Sequence, residues 1–209
     1  MLDAFARTLI DPPLNRLGAQ VAQTGVTANQ LSIGGAAFGF TAGALIAAGY
    51  FSGGLAMIIV SRLLDGFDGA VARATAPTDF GGYLDIICDY VFYAAVPLGF
   101  AIASPANLLP AAALLASFLL TAASFLAYAA LAEKRGLITT SQGIKSFYYM
   151  AGLIEGTETI AAFILFCLLP DWFPALASIF AVLCVITAIG RVVRAQEEFR
   201  PETTRPTIH

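Results

Sequence analysis

Charge is scarce in this chain. Asp, Glu, Lys and Arg together make up 12% of its 209 residues, against 58% hydrophobic. A soluble domain carries about a quarter charged residues. The deficit excludes an ordinary soluble fold and points to the membrane class. Histidine is nearly missing: the single one, His209, is the last residue. That removes histidine-based acid–base chemistry and histidine metal sites from the candidate mechanisms. Cysteine is equally sparse. Cys88, Cys167 and Cys184 sit in apolar runs with no CxxC pair, so buried structural thiols are expected. A net charge of −3 gives no sign of a nucleic-acid partner. The first 18 residues lack the apolar core of a secretory leader. They carry Asp3, Asp11 and a Pro12-Pro13 break instead. Leu2, Phe5, Leu9 and Ile10 are spaced for one face of a short helix. An interfacial helix with its entry segment is therefore expected over residues 1–24.

Long hydrophobic runs are what the chain has in quantity. A span needs about 20 mostly apolar residues. Six candidates fit: 31–51, 54–73, 80–104, 108–132, 146–169 and 173–191. The expectation is an all-α, single-domain bundle over residues 1–209, with six transmembrane helices and a solvated cytoplasmic tail at 194–209. Lys and Arg are absent from the three loops on one side. They gather at Arg7, Arg16, Arg62, Arg73, Lys134, Arg135, Lys145, Arg191, Arg194, Arg200 and Arg205, on or near the other. This asymmetry predicts both termini in the cytoplasm, together with the turn between the second and third spans.

That turn is flanked by acids where a membrane protein should avoid them. Asp65 and Asp68 are three apart, and Asp85 and Asp89 four apart, so each pair shares a helix face. The short turn between them holds Pro77, which makes the two helices antiparallel neighbours with facing acidic sides. Four carboxylates so close repel one another, and divalent metal relieves this. All-oxygen ligands favour Mg²⁺, Mn²⁺ or Ca²⁺ over zinc, and Mg²⁺ completes its shell with substrate phosphates. Two ions bridged by carboxylates clamp a phosphoryl displacement. Arg73 is placed to neutralise a phosphate the metals do not reach. Gly69 and Ala72 leave room for a ligand, or for tight helix packing. Structural ion pairing is the plainer reading of the acids. Only Arg62 and Arg73 lie near, and Asp79 adds a further acid, so pairing does not balance the charge. Arg62 is read as the partner of one carboxylate.

The run Asp65-Gly66-Phe67-Asp68-Gly69-Ala70-Val71-Ala72-Arg73, followed after seven residues by Gly81, Asp85 and Asp89, resembles the signature of the CDP-alcohol phosphotransferases. The stretch from Thr27 through Asn29 to Ser32 is similar to the family's Thr-Pro-Asn-x-x-Thr entry, with Ala28 and Ser32 as departures. The resemblance implies an integral membrane enzyme of phospholipid synthesis. A CDP-linked lipid, usually CDP-diacylglycerol, would pass its phosphatidyl group to a small alcohol and release CMP. It implies two Mg²⁺ ions, or Mn²⁺, on Asp65, Asp68, Asp85 and Asp89, with Asp89 also the general base. Gly69, Ala72, Arg73, Gly81, Asn29 and Ser32 would line the CDP site. A homodimer among membrane lipids, in a bacterial inner membrane, is implied likewise. An Mg²⁺-dependent prenyltransferase would keep its acidic motifs farther apart. An ion-coupled carrier would show repeats and broken helices.

Glu155 and Glu158 are three apart and expected on one face of the fifth span. They resemble a family stretch whose two arginine positions are here Gly156 and Thr159, which suits a neutral or cationic acceptor. Lys145, Lys134 and Arg135 remain as contacts for a phosphorylated one. Tyr148 and Tyr149 are read as interfacial anchors, and Trp172 with Phe173 as a marker of the outer interface.

Overall fold

The computed structural model describes residues 2–136 and 154–199, and within them every regular element is helical. In chain order these are α1 (Leu2–Gln23), α2 (Ala28–Ala47), α3 (Phe51–Ala74), α4 (Asp79–Ala103), α5 (Leu108–Lys134), α6 (Gly156–Leu168) and α7 (Phe173–Glu198). Short 3₁₀ turns at Pro105–Asn107 and Pro170–Trp172 lead into α5 and α7.

Among the described residues, four segments are long and apolar enough to cross a membrane: Ala28–Ala47, Asp79–Ala103, Pro105–Lys134 and Pro170–Glu198. The segment expected as the second span forms the 24-residue helix α3, which is not among these four and carries Arg62, Asp65, Asp68 and Arg73. Those charges set it apart from an ordinary lipid-facing helix. The fifth is described only over the 13 residues of α6. Lys145, Tyr148 and Tyr149 lie outside the described residues, as does the tail from residue 200. The expected break at Pro12-Pro13 does not occur, because α1 runs through both prolines to Gln23. Proline removes a backbone donor and crowds the preceding turn without forbidding continuation. The side chains expected to form the apolar face of α1 lie outside those described.

Two groups of helices build the body. α3 and α4 both pack on α2, and α5 packs on α7. The turn from α2 to α3 is short because Gly49, at φ +83°, takes a left-handed conformation that a side chain would strain. Its N–H reaches Ile46 O at 2.9 Å, and Tyr50 N–H reaches Leu45 O at 2.9 Å, closing the end of α2. α2 crosses α4 where Gly43 meets Gly99. A Cβ on Gly99 would collide with the Gly43 carbonyl, and one on Gly43 with the Ala95 carbonyl. Small residues of this kind permit close backbone contact between membrane helices.

Aromatic packing joins the two groups. Phe92 and Phe100 of α4, Phe163 and Phe166 of α6, and Phe173 of α7 are fully or almost fully buried. Phe173 does not mark an interface as expected: its ring stacks on Phe100 at 4.3 Å in the core. The 3₁₀ turn before α7 directs that first residue inward and leaves Trp172 exposed at 64%. Cys167 and Cys184 are buried thiols as expected, whereas Cys88 is only half-buried, at the acidic end of α4.

Candidate active site

Three helix ends converge around the acidic residues: the C-terminal half of α3 and the N-terminal ends of α2 and α4. Thr27 caps α2, its hydroxyl accepting from Gln30 N–H at 3.3 Å while Gln30 Oε1 accepts from Thr27 N–H at 3.0 Å. Thr78 caps α4, accepting from Gly81 N–H at 3.0 Å. Ser and Thr caps satisfy donors that an opening helix leaves unpaired. The positive ends of both helices border one cavity of about 470 Å³. Asn29 and Ser32 from α2, Asp68, Gly69 and Ala72 from α3, and Gly81 and Asp85 from α4 line it. A site at helix N-termini favours an anionic ligand. Gly81 matters for shape: a Cβ there would lie 3.0 Å from Thr78 Oγ1 and 3.3 Å from Asn29 Oδ1.

Asp65, Asp68 and Asp85 each offer a carboxylate oxygen within 4.8 Å of the others, so one cation can touch all three. The donor set is hard oxygen from side chains of α3 and α4 that meet beside α2, which suits Mg²⁺ or Mn²⁺. Asp68 is buried at 5% exposure. Ser32 Oγ donates to its Oδ2 at 2.6 Å. Ser32 therefore holds a carboxylate in orientation as well as facing the cavity.

Asp89 is not part of that shared ligand set but adjoins it beside Asp65. Its Oδ1 accepts from Arg62 Nη1 at 2.7 Å, and the same nitrogen lies 3.5 Å from Asp65 Oδ2. Arg62 is thus the carboxylate partner expected, for two acids rather than one. Its guanidinium lies over the Phe92 ring at 3.9 Å, and Nη2 donates to Ser61 Oγ at 3.2 Å. Spacing alone did not reveal the contact, because 27 residues separate Arg62 from Asp89.

Arg73 is not among the cavity-lining residues. Its Nε and Nη2 donate to Asn15 Oδ1 of α1 at 3.0 and 2.8 Å. Nη1 stays beside Gly69, 3.2 Å from where a Cβ would stand. The candidate acceptor residues are more dispersed. Glu155 and Glu158 do not share a helix face, because Glu155 is the extended N-cap of α6. The two form a capping box, with Glu158 Oε2 accepting from Glu155 N–H at 3.1 Å. Lys134 ends α5, and Arg135 donates to Phe199 O at 3.0 Å at the foot of α7. Lys145 lies outside the described residues. Tyr93, one turn beyond Asp89, was not singled out by its spacing. Its hydroxyl faces the start of α6, 3.5 Å from where a Gly156 Cβ would stand.

The family model described as CDP-alcohol phosphatidyltransferase matches residues 25–193. The inner membrane protein YnjF of Escherichia coli (strain K12) is 45% identical over 193 residues, 92% of this chain and 94% of that protein. The archaetidylinositol phosphate synthase of Pyrococcus horikoshii is 36% identical over 103 residues, 46% of this chain and 52% of that protein. Mycobacterium tuberculosis phosphatidylinositol phosphate synthase, PgsA1, shares the fold. Its complex with manganese and citrate has a TM-score of 0.70 at 21% identity, covering 93% of each chain. Its CDP-DAG-bound form has a TM-score of 0.70 at 20% identity, covering 94% of this chain and 98% of that one.

Proposed function

The chain belongs to the CDP-alcohol phosphatidyltransferase family, a class of transferases, and from that premise we propose that it transfers the phosphatidyl group of CDP-diacylglycerol to a small alcohol, releasing CMP. The observation that carries this reading is the carboxylate trio opening onto a cavity framed by two helix N-termini. Asp65, Asp68 and Asp85 would hold a divalent ion, Mg²⁺ or Mn²⁺, and a second would engage Asp65 and Asp89. When bound, such ions supply charge neutralisation to a diphosphate and its phosphoryl transition state.

The chain's own groups do the rest. Asn29, Gly69, Ala72, Gly81 and the helix ends cradle the CDP moiety, with small side chains admitting the nucleotide. Ser32 fixes Asp68. Arg73 reaches a phosphate oxygen once it leaves Asn15. Asp89 takes the proton from the acceptor hydroxyl, a task for which a positioned carboxylate is adequate. The acceptor enters on the side of Asp89 facing Tyr93 and the capped start of α6. Gly156 and Thr159 add no cation there, which favours an acceptor without a phosphate. A lipid donor must enter sideways from the bilayer, so the cavity would open to the cytoplasmic leaflet. The Lys and Arg distribution supports six spans with cytoplasmic termini, and the inner-membrane relative supports that location. A homodimer is proposed from the family resemblance alone.

The test is an acceptor screen on the purified protein with labelled CDP-diacylglycerol and Mg²⁺, scored by CMP release. Release that requires both an alcohol and a divalent ion is expected. No CMP from any alcohol, together with no stabilisation by CMP, would remove the reading.

A further inference from the structure

Arg62 is an unusual occupant of a metal-binding acidic site. Its side chain is 10% exposed, and one nitrogen, Nη1, lies between Asp89 at 2.7 Å and Asp65 at 3.5 Å. A cation bridging those carboxylates would need the same place. The guanidinium is also braced without them, by the Phe92 ring and Ser61 Oγ. Ser61 is fixed in turn, donating to Gly35 O of α2 at 2.7 Å. Arg62 Nε is buried with no hydrogen-bond partner. A buried donor left unmet is costly, so the charged contacts of Nη1 with Asp89 and Asp65 and the Nη2 hydrogen bond to Ser61 must offset it. The other half of the site contrasts with this. Among the described residues, those lining the cavity beside Asp68 and Asp85 include no Lys or Arg.

We propose that Arg62 is a built-in counter-cation that competes with a second divalent ion for Asp65 and Asp89, making ion binding ordered: first on the open trio, then, more weakly, on the Asp89 side. The inference rests on the functional reading above. In that reading Arg62 is a positioning residue. It keeps Asp89 aligned before substrate arrives and yields it only when the second ion is driven in. An arginine is suited to this, because its charge is permanent and its planar face stacks on an aromatic ring.

The test is Mn²⁺ titration of the full-length protein in detergent, without substrate, following free Mn²⁺ by electron paramagnetic resonance. Wild type should bind one ion tightly and a second more weakly. Arg62→Met should tighten the second step by about tenfold or more, the scale of one close charge pair at partial burial, and move the first far less. Arg62→Lys, which keeps a cation, should stay near wild type. Thermal unfolding gives an independent readout. Without metal, Arg62→Met should unfold at lower temperature, because two carboxylates lose their counter-ion, and Mn²⁺ should raise its midpoint more than that of wild type. Arg62→Gln serves the same purpose if the Met variant does not fold. An unchanged second step, equal tightening of both steps, or one ion only in wild type and variant alike would overturn the proposal. Failure of the functional reading looks different: no Mn²⁺ bound by wild type, or Asp68→Asn binding as tightly as wild type.

Discussion

The two sides of the acidic site are built on opposite plans. Around Asp68 and Asp85 the neighbours are small or polar: Gly69, Ala72, Gly81, Ser32 and Asn29, beside two helix N-termini and an open cavity. Around Asp89 the neighbours are bulky, with Arg62 stacked on Phe92 and Tyr93 against Phe92 and Phe163, although the carboxylate itself stays partly exposed. One side therefore offers carboxylates and room, and needs a cation and an anion from outside. The other carries its own cation and offers a single oriented carboxylate. The contrast is consistent with the roles proposed above, nucleotide and first metal on the open side and proton removal beside Arg62.

Breaking the open side should cost most. Asp68→Asn or Asp85→Asn removes a ligand from the trio and should lower CMP release by about a thousandfold or more, since metal charge stabilisation is worth several kcal/mol. The variants should keep a monodisperse gel-filtration peak in detergent, and full turnover in either would end the metal assignment. Asp89→Asn tests the packed side. Loss of a general base should reduce kcat by about a hundredfold or more, while CMP affinity changes little. Equal losses in binding and turnover would merge the two sides into one function.

Shape comes next. Gly81→Val places new atoms against Thr78 Oγ1 and Asn29 Oδ1, and overpacking of this kind should weaken CMP binding by about tenfold. Calorimetric titration with CMP and Mg²⁺ measures it, and undiminished affinity would move the nucleotide elsewhere. The smallest effect is expected from Ser32→Ala. It removes the 2.6 Å hydrogen bond to Asp68, a contact whose loss should weaken Mn²⁺ binding about three- to tenfold. If that variant lost CMP affinity but not Mn²⁺ affinity, Ser32 would be a nucleotide contact rather than a support for Asp68.

Much of the site was legible because helical spacing is local. The pairs Asp65 with Asp68 and Asp85 with Asp89 follow from a period of 3.6 residues, but the Pro77 turn does not pack α3 closely on α4: both lie against α2, and their acidic side chains meet beside it. The same logic misplaced Glu155, because spacing cannot tell an N-cap from the first turn it closes. It also misread Phe173, whose inward direction depends on the 3₁₀ turn before α7. Arg62 is placed against a carboxylate by both sequence and structure, but which one depends on how α3 and α4 are each set against α2.

Composition and periodicity alone determined that this is a helical membrane protein, that its acids gather where two helices turn, and that hard cations suit them. Those properties depend on the order of side chains along a helix and on the dislike of hydrocarbon for charge. Only the tertiary structure decided that Asp65, Asp68 and Asp85 form one group while Arg62 spans Asp65 and the fourth aspartate, Asp89, and that Arg73 rests on Asn15. Such choices are settled by helix crossings and by which buried charge finds a partner within a few ångströms, distances that sequence separation does not encode.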